Sequence, residues 1–283
     1  MTIREKRERK MNMIAKTCIG CRRAISPVIA ALILASVLCI IVFAASNLAN
    51  DIVSAQVEDA QFEQAKYVMV SLDKLIKRII HEPKSSGYVK TSFWKVTPYF
   101  ERNVGNLTLE APNLEITIPI NIVKIKGGPR VSISVEENLV GNESLIVRDA
   151  VGSLGNVKVY QLSGSGAYIS LDYARLRCIN TGRNISYYNG TGYEPYNTIE
   201  ITLVKIEFRD FMVSEQASFI AKNIEITPIQ RDVGKGNFAI IVKRTDLNKT
   251  ESITLVDLGG DPNHRTLINA AIITIEVSIL GGI

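Results

Sequence analysis

Histidine is nearly absent from this 283-residue sequence: His81 and His264 are the full complement, so the two-histidine HExxH zinc motif cannot be built. Neither a P-loop nor a G-x-S-x-G nucleophile elbow occurs. Catalysis is therefore not expected, and no cofactor is called for. Cysteine is scarce as well, with Cys18, Cys21, Cys39 and Cys178 spread so that the body beyond the first apolar run holds a single thiol and no disulfide framework. Cys18-Ile-Gly-Cys21 has zinc or redox spacing but lacks a second ligand pair, which leaves coincidence as its reading and no metal site. A charge surplus is missing from most of the chain. Residues 1–24 hold eight of the 33 basic residues and only two of the 28 acidic ones, and the remainder, with 25 basic and 26 acidic, is close to neutral. A basic leader followed at once by apolar sequence does not suit nucleic acid as a partner.

What is present is a run of 24 residues without a charge, Ile25 to Leu48. As a helix it spans about 36 Å at ~1.5 Å per residue, enough to cross the hydrocarbon core of a bilayer. Lipid offers no partners to backbone groups, so a helix is required there, and Pro27 is expected to mark its N-terminus. The cationic leader stays cytoplasmic under the positive-inside tendency, and the rest is placed outside. Ala44-Ala45-Ser46 keeps an ordinary secretory cut open as an alternative.

Arg22-Arg23-Ala24, followed by Ile25-Ser26-Pro27-Val28-Ile29-Ala30, resembles the class III signal of archaeal type IV pilins. The resemblance covers Arg22 to Leu48. It implies a prepilin peptidase that cuts between Ala24 and Ile25, removes residues 1–24 and leaves the apolar helix on the mature protein. It also implies polymerisation through that helix, here Pro27, Val28, Ile29, Leu32, Leu34, Leu38, Ile41 and Phe43. Further implied partners are copies of itself or other pilins, an assembly ATPase and a membrane platform protein. Bacterial relatives carry glutamate at the fifth mature position, whereas here that position is Ile29, a departure that points to the archaeal branch.

Helical periodicity continues past the apolar run, with Ile52, Ala55, Phe62, Ala65, Met69, Leu72, Ile76 and Ile79 recurring at three- and four-residue steps until Pro83. Residues 25–82 therefore read as one long helix. Ala30, Ala31, Ala35, Ser36, Ala44 and Ala45 would let such helices approach closely in a bundle. An anchor helix that simply continues into a packed ectodomain explains the same pattern.

From residue 83 to 283 the period changes to two. Strands are expected in Leu114–Ile125, Val131–Val135, Tyr168–Cys178, Thr198–Phe208, Phe238–Lys243, Ser252–Leu255 and Ala271–Leu280, separated by Gly-, Pro- and Asn-rich turns. The fold class is α+β: a long hydrophobic helix, then an antiparallel β-sandwich-like extracellular domain, single or divided near Gly164. Five sequons, at Asn106, Asn142, Asn184, Asn189 and Asn248, are candidate N-glycosylation sites. Asp257, Asp261, Asn263 and His264 could gather around a cation, but the Gly259-Gly260-Asp261-Pro262 context favours a turn. Tyr187, Tyr188, Tyr193 and Tyr196 are placed in a loop, where they would stack on sugars or pack back on the sandwich.

The functional expectation is a structural subunit of an adhesive, pilus-like surface filament. The precursor would sit in the membrane and the mature protein at the cell surface. An archaellin, a plain single-pass ectodomain and a two-lobed solute-binding protein are the alternatives, the last opposed by the strand-dominated body.

Overall fold

The computed structural model describes residues 3–92, 95–182, 185–188, 192–212, 214 and 216–281, with backbone alone for 3–26, 185–188 and 193. Two compact units result, residues 1–56 and 57–283. The α+β expectation holds: a long apolar helix comes first and a mostly antiparallel two-sheet domain follows.

Helix α1 (Ile3–Ile79) contains Pro27 in its interior. The expected N-terminus at Pro27 is thus corrected: the ring removes one N–H donor, yet the helical turns on both sides continue. Among the described residues one helical segment, Pro27–Ile79, contains a stretch long and apolar enough to cross a membrane.

The C-terminal part of α1 belongs to the second unit. Phe62, Ala65, Met69, Leu72, Ile76 and Ile79 are buried, as the three- and four-residue spacing requires for one face of a helix. Each large side chain among them contributes roughly 1.5–3 kcal/mol by leaving water. Ile52, read as part of the same stripe, is exposed. The helix ends before Pro83, with Ile80 N–H still donating to the Ile76 carbonyl at 3.0 Å. Beyond it the Ile79 carbonyl accepts from Glu82 N–H (3.1 Å), and Asn223 Nδ2 donates to the carbonyls of Ile79 (2.9 Å) and Ile80 (3.3 Å).

In chain order the strands are β1 (Ser86–Ser92), β2 (Thr97–Ala111), β3 (Leu114–Lys126), β4 (Glu137–Val140), β5 (Ile146–Val147), β6 (Asn156–Leu162) and β7 (Gly166–Asp172), then β8 (Leu176–Asn180), β9 (Ile185–Tyr188), β10 (Tyr193–Phe211), β11 (Gln216–Lys235), β12 (Ala239–Arg244), β13 (Lys249–Thr254) and β14 (Arg265–Gly281). Among the described residues one sheet has the order β1-β11-β14-β10-β8-β5, with β9 also on β10, and the other β13-β12-β2-β3-β7-β6-β4. The β10–β14 pair at the heart of the first sheet runs parallel, as does the short β5–β8 pair. Gly164, with φ of 77°, lies in the turn between β6 and β7.

Three strands change inward parity along their length. Ile116, Ile118 and Ile120 of β3, Ile199, Ile201 and Leu203 of β10, and Ile268 and Ala270 of β14 fill a core made by the two sheets alone. Val123 and Ile125, Val204 and Ile206, and Ile273, Ile275 and Val277 fill a second core, shared with the buried face of α1. The β10–β14 register is unbroken from Tyr196 opposite Arg265 to Phe208 opposite Val277. Side chains alternate faces along such a ribbon, so it gives one face to each core.

Two predicted strands are corrected. Val131–Val135 joins no ladder: Val131 N–H donates to the Gly128 carbonyl in a turn and Ile133 N–H to Gln161 Oε1 at 2.5 Å, while Val131 is buried against the helix core. Its alternation reflects that core and not a neighbouring strand. The run Tyr168–Cys178 is interrupted at residues 173–175, where Ala174 N–H turns onto Asp172 Oδ1 and the chain passes from β7 in one sheet to β8 in the other. The tyrosine stretch is a hairpin and not a loop, since Tyr193 pairs Tyr188 and Tyr196 pairs Ile185 between β9 and β10.

Candidate functional site: the exposed apolar helix

Every residue from Pro27 to Val53 is exposed. Val28, Ile29, Leu32, Leu34, Leu38, Ile41 and Phe43 point apolar surface outward on all sides, Phe43 being 71% exposed. A helix apolar all round needs an apolar surrounding, which water does not supply. Polar demand inside the run is low: Ser36 Oγ donates to the Leu32 carbonyl one turn back at 2.8 Å, so its hydroxyl needs no outside partner. Cys39 is an exposed thiol in the same run. Arg22, Arg23, Ala24 and Ile25 lie outside the residues whose side chains are described.

Polar residues that the apolar periodicity does not reveal fix the other part of α1 in its domain. Asp73 is 3% exposed, accepting hydrogen bonds from Tyr173 Oη (2.8 Å) and Ser153 Oγ (3.1 Å). Glu58, also 3% exposed, accepts from Arg130 N–H at 2.9 Å and faces its guanidinium at 3.7 Å. Gly128 and Gly155 make room for these carboxylates, because a Cβ there would stand 2.5 Å from Glu58 Oε2 and 1.9 Å from Asp73 Oδ1. The signals available in the sequence are positional: Glu58 lies four residues before Phe62 and Asp73 four residues after Met69, on a stripe that otherwise carries apolar side chains.

Of the sequons, Asn106, Asn142 and Asn248 are exposed, and Asn184 and Asn189 lie outside the described residues. Asn142 Oδ1 accepts from Arg175 Nη2 at 2.6 Å, whereas Asn248 sits with φ of 48° in the turn between β12 and β13. The Asp257 and Asp261 carboxyls bond within their own turns, while the Asp261 backbone exchanges bonds with the Asn197 side chain. Asp257 Oδ2 accepts from the Thr254 N–H (3.0 Å) and hydroxyl (2.7 Å), and Asp261 Oδ1 accepts from Asn263 N–H (2.9 Å). These bonds hold both carboxyls below their ordinary range. No group of His, Cys, Asp or Glu able to hold a metal ion occurs among the described residues. Cys178 is buried in the sheet-only core, and that burial pushes its thiol up to about 12, well away from a reactive thiolate.

Comparison with models of known families, with curated proteins and with solved structures finds no match to this chain. The fold and the helix are therefore what define its class: a two-sheet β-domain carrying an exposed apolar N-terminal helix.

Proposed function

We propose that the chain is the structural subunit of a pilus-like adhesive surface filament, made as a membrane-inserted precursor and trimmed by a prepilin peptidase between Ala24 and Ile25. The observation that carries this reading is a helix exposed and apolar on all its faces from Pro27 to Leu48, directly behind a basic N-terminal segment. In the precursor, lipid covers that surface. After removal of residues 1–24 the same surface is covered by the helices of other subunits, an exchange of one apolar environment for another that involves little net loss of hydrophobic free energy. Ala30, Ala31, Ala35 and Ser36 would allow the backbones to approach. The two-sheet domain faces outward, and its exposed sequons suit glycosylation at a cell surface. An assembly ATPase and a membrane platform protein supply the work of extraction. Nucleic acid has no role in this reading.

A second reading, a single-pass anchored ectodomain, is favoured by the tight fixation of Phe62–Ile79 in the β-domain, which serves a permanent anchor equally well. N-terminal sequencing of the native protein, together with electron microscopy of sheared surface material, separates the two. A mature start at Ile25 and threads containing this chain support the filament. A chain that stays monomeric in the membrane with Arg22 and Arg23 still attached would falsify it.

A further inference from the structure

A cleft of about 460 Å³ opens on the β3-β7-β6 side of the second sheet, with no residue of α1 among those lining it. Its floor is polar and desolvated: Asn156, Ser170, Asp172, Arg175 and Arg244 are each at least nine-tenths buried. Strand pairing sets them side by side, with Asn156 opposite Asp172 and Lys158 opposite Ser170. On one wall stands Tyr160, half-buried, its ring stacked 5.8 Å from that of Tyr168 and carrying Lys124 Nζ 5.8 Å from its centroid.

The charges of the cleft are compensated internally. Arg244 makes a two-pronged pair with Asp246 at 2.9 and 2.8 Å and also meets Asp172 at 3.3 Å. Lys124 pairs with Glu101 at 2.6 Å, Lys158 with Glu136 at 2.7 Å, and Lys249 with Glu251 at 3.1 Å. Arg175 is spent on the Ser144 and Ser153 carbonyls and on Asn142 Oδ1. No surplus charge remains to draw in an ion, and although Val104, Ile122, Leu145 and Leu247 add apolar lining, the buried polar floor disfavours a guest that is apolar throughout. One group of the cleft stands apart from the network: the buried Oδ1 of Asn156 has no hydrogen-bond partner among the described residues. Leaving such a group unsatisfied is costly, and a ligand donor is one way to complete it.

From the compensated polar floor, the unpartnered Asn156 amide and the aromatic wall, we infer that this cleft is a binding site for a neutral saccharide. Hydroxyls of a sugar both donate and accept, so they match a floor of mixed carboxylate, amide and guanidinium without needing net charge, and the apolar face of a pyranose ring stacks on a tyrosine. The inference does not depend on filament assembly, since the cleft lies within one chain.

The test uses the full-length protein, made in a host without N-glycosylation so that Asn142 on the rim stays bare. It is held in phosphatidylcholine nanodiscs and not in a maltoside detergent, whose head group is itself a sugar. An array of neutral hexose and N-acetylhexosamine oligosaccharides is probed, with uronic-acid and sulfated oligosaccharides beside them. Neutral sugars are expected to bind. Asn156→Ala is expected to weaken that binding about tenfold while leaving the unfolding midpoint in place, because the amide oxygen holds no bond in the fold. Tyr160→Leu removes the stacking ring from a half-buried wall and gives a comparable loss by an independent route, so misfolding of one variant leaves the other to decide. Binding of the charged sugars alone, no binding to any neutral sugar, or undiminished affinity in a folded variant overturns the assignment.

Discussion

The hydroxyl of Tyr173 donates to Asp73 Oδ1 at 2.8 Å, joining the chain between the two sheets to the buried face of α1. Ser153 Oγ reaches the same carboxylate, and Gly155 leaves space for it. Tyr173→Phe removes a hydrogen bond to a buried acid and is expected to cost about 1.5–3 kcal/mol in urea unfolding. Asp73→Asn keeps an acceptor in place and should cost less. Fully additive losses in the double variant would show that the pair is not coupled as the geometry implies.

Gly155→Ala tests the same junction sterically. A Cβ at 1.9 Å from Asp73 Oδ1 cannot be accommodated without moving the carboxylate or the backbone. A loss of about 1–3 kcal/mol is expected, in the range of overpacked cores. Combined with Asp73→Ala, which vacates the space, the penalty of the added methyl should largely vanish; a purely additive double mutant would place the strain elsewhere.

How far the sequence discloses this architecture depends on how each element meets the core. Leu114–Ile125 reads correctly because Leu114, Ile116, Ile118, Ile120 and Ile122 alternate strictly along one face. The neighbouring β2 is not visible, since its polar stretch contains Asn103 at φ of 53° and a register shift between Glu101 and Gly105 that breaks the alternation. The whole of β11 is likewise missing from the expected strands: the inward positions of its first half are Ala217, Phe219, Ala221 and Asn223, only one of them large and apolar, and Glu225–Lys235 lies mostly at the surface and carries Pro228. The apolar helix needs no tertiary information to be read, because its signal is composition over 24 consecutive residues. The saccharide cleft is the opposite case. Asn156, the Asp172–Arg175 stretch and Arg244 come from three places in the chain, and strand pairing brings them together.

Glu251 gives a pH signature. Burial works against its charged form, but hydrogen bonds from Lys249, Ser144 and the N–H groups of Leu145 and Ile146 outweigh that and hold its carboxyl below the ordinary value of 4.5. A depressed folded pKa adds stability that is fully present above the unfolded value and is lost as pH falls through the folded one. Thermal unfolding of the protein and of Glu251→Gln should therefore differ at neutral pH, with the variant weaker, and the gap should close below pH 4.5. A gap that widens on acidification would reverse the sign and reject the argument.

Sequon occupancy should follow the hydrogen bonding of each site. Asn248 and Thr250 are exposed in and after a turn, open to a transferase. Asn142 Oδ1 is held by Arg175, and the Ser144 hydroxyl lies 3.0 Å from the Ile146 carbonyl and 2.9 Å from Glu251 Oε2. Glycopeptide mass spectrometry of the native protein is expected to find Asn248 more fully modified than Asn142. A filled Asn142 beside a bare Asn248 would mean that modification precedes folding of this region.

Leu38→Lys separates the role of the apolar helix from that of the β-domain. Leu38 is 53% exposed and belongs to the first compact unit, so no packing in the second unit is lost. A lysine near the centre of a spanning helix instead opposes membrane insertion by roughly 2.5–3.5 kcal/mol, and in a bundle it would bury an unpaired charge. Carbonate extraction of membranes should release more of the variant, and sheared surface material should lack threads containing it, with the unfolding midpoint of the β-domain unchanged. Val256→Lys, at a 52% exposed position in the turn after β13, serves as the control and should leave all three readouts as they are. Threads that form normally from Leu38→Lys would mean that the apolar helix is not the surface through which subunits join.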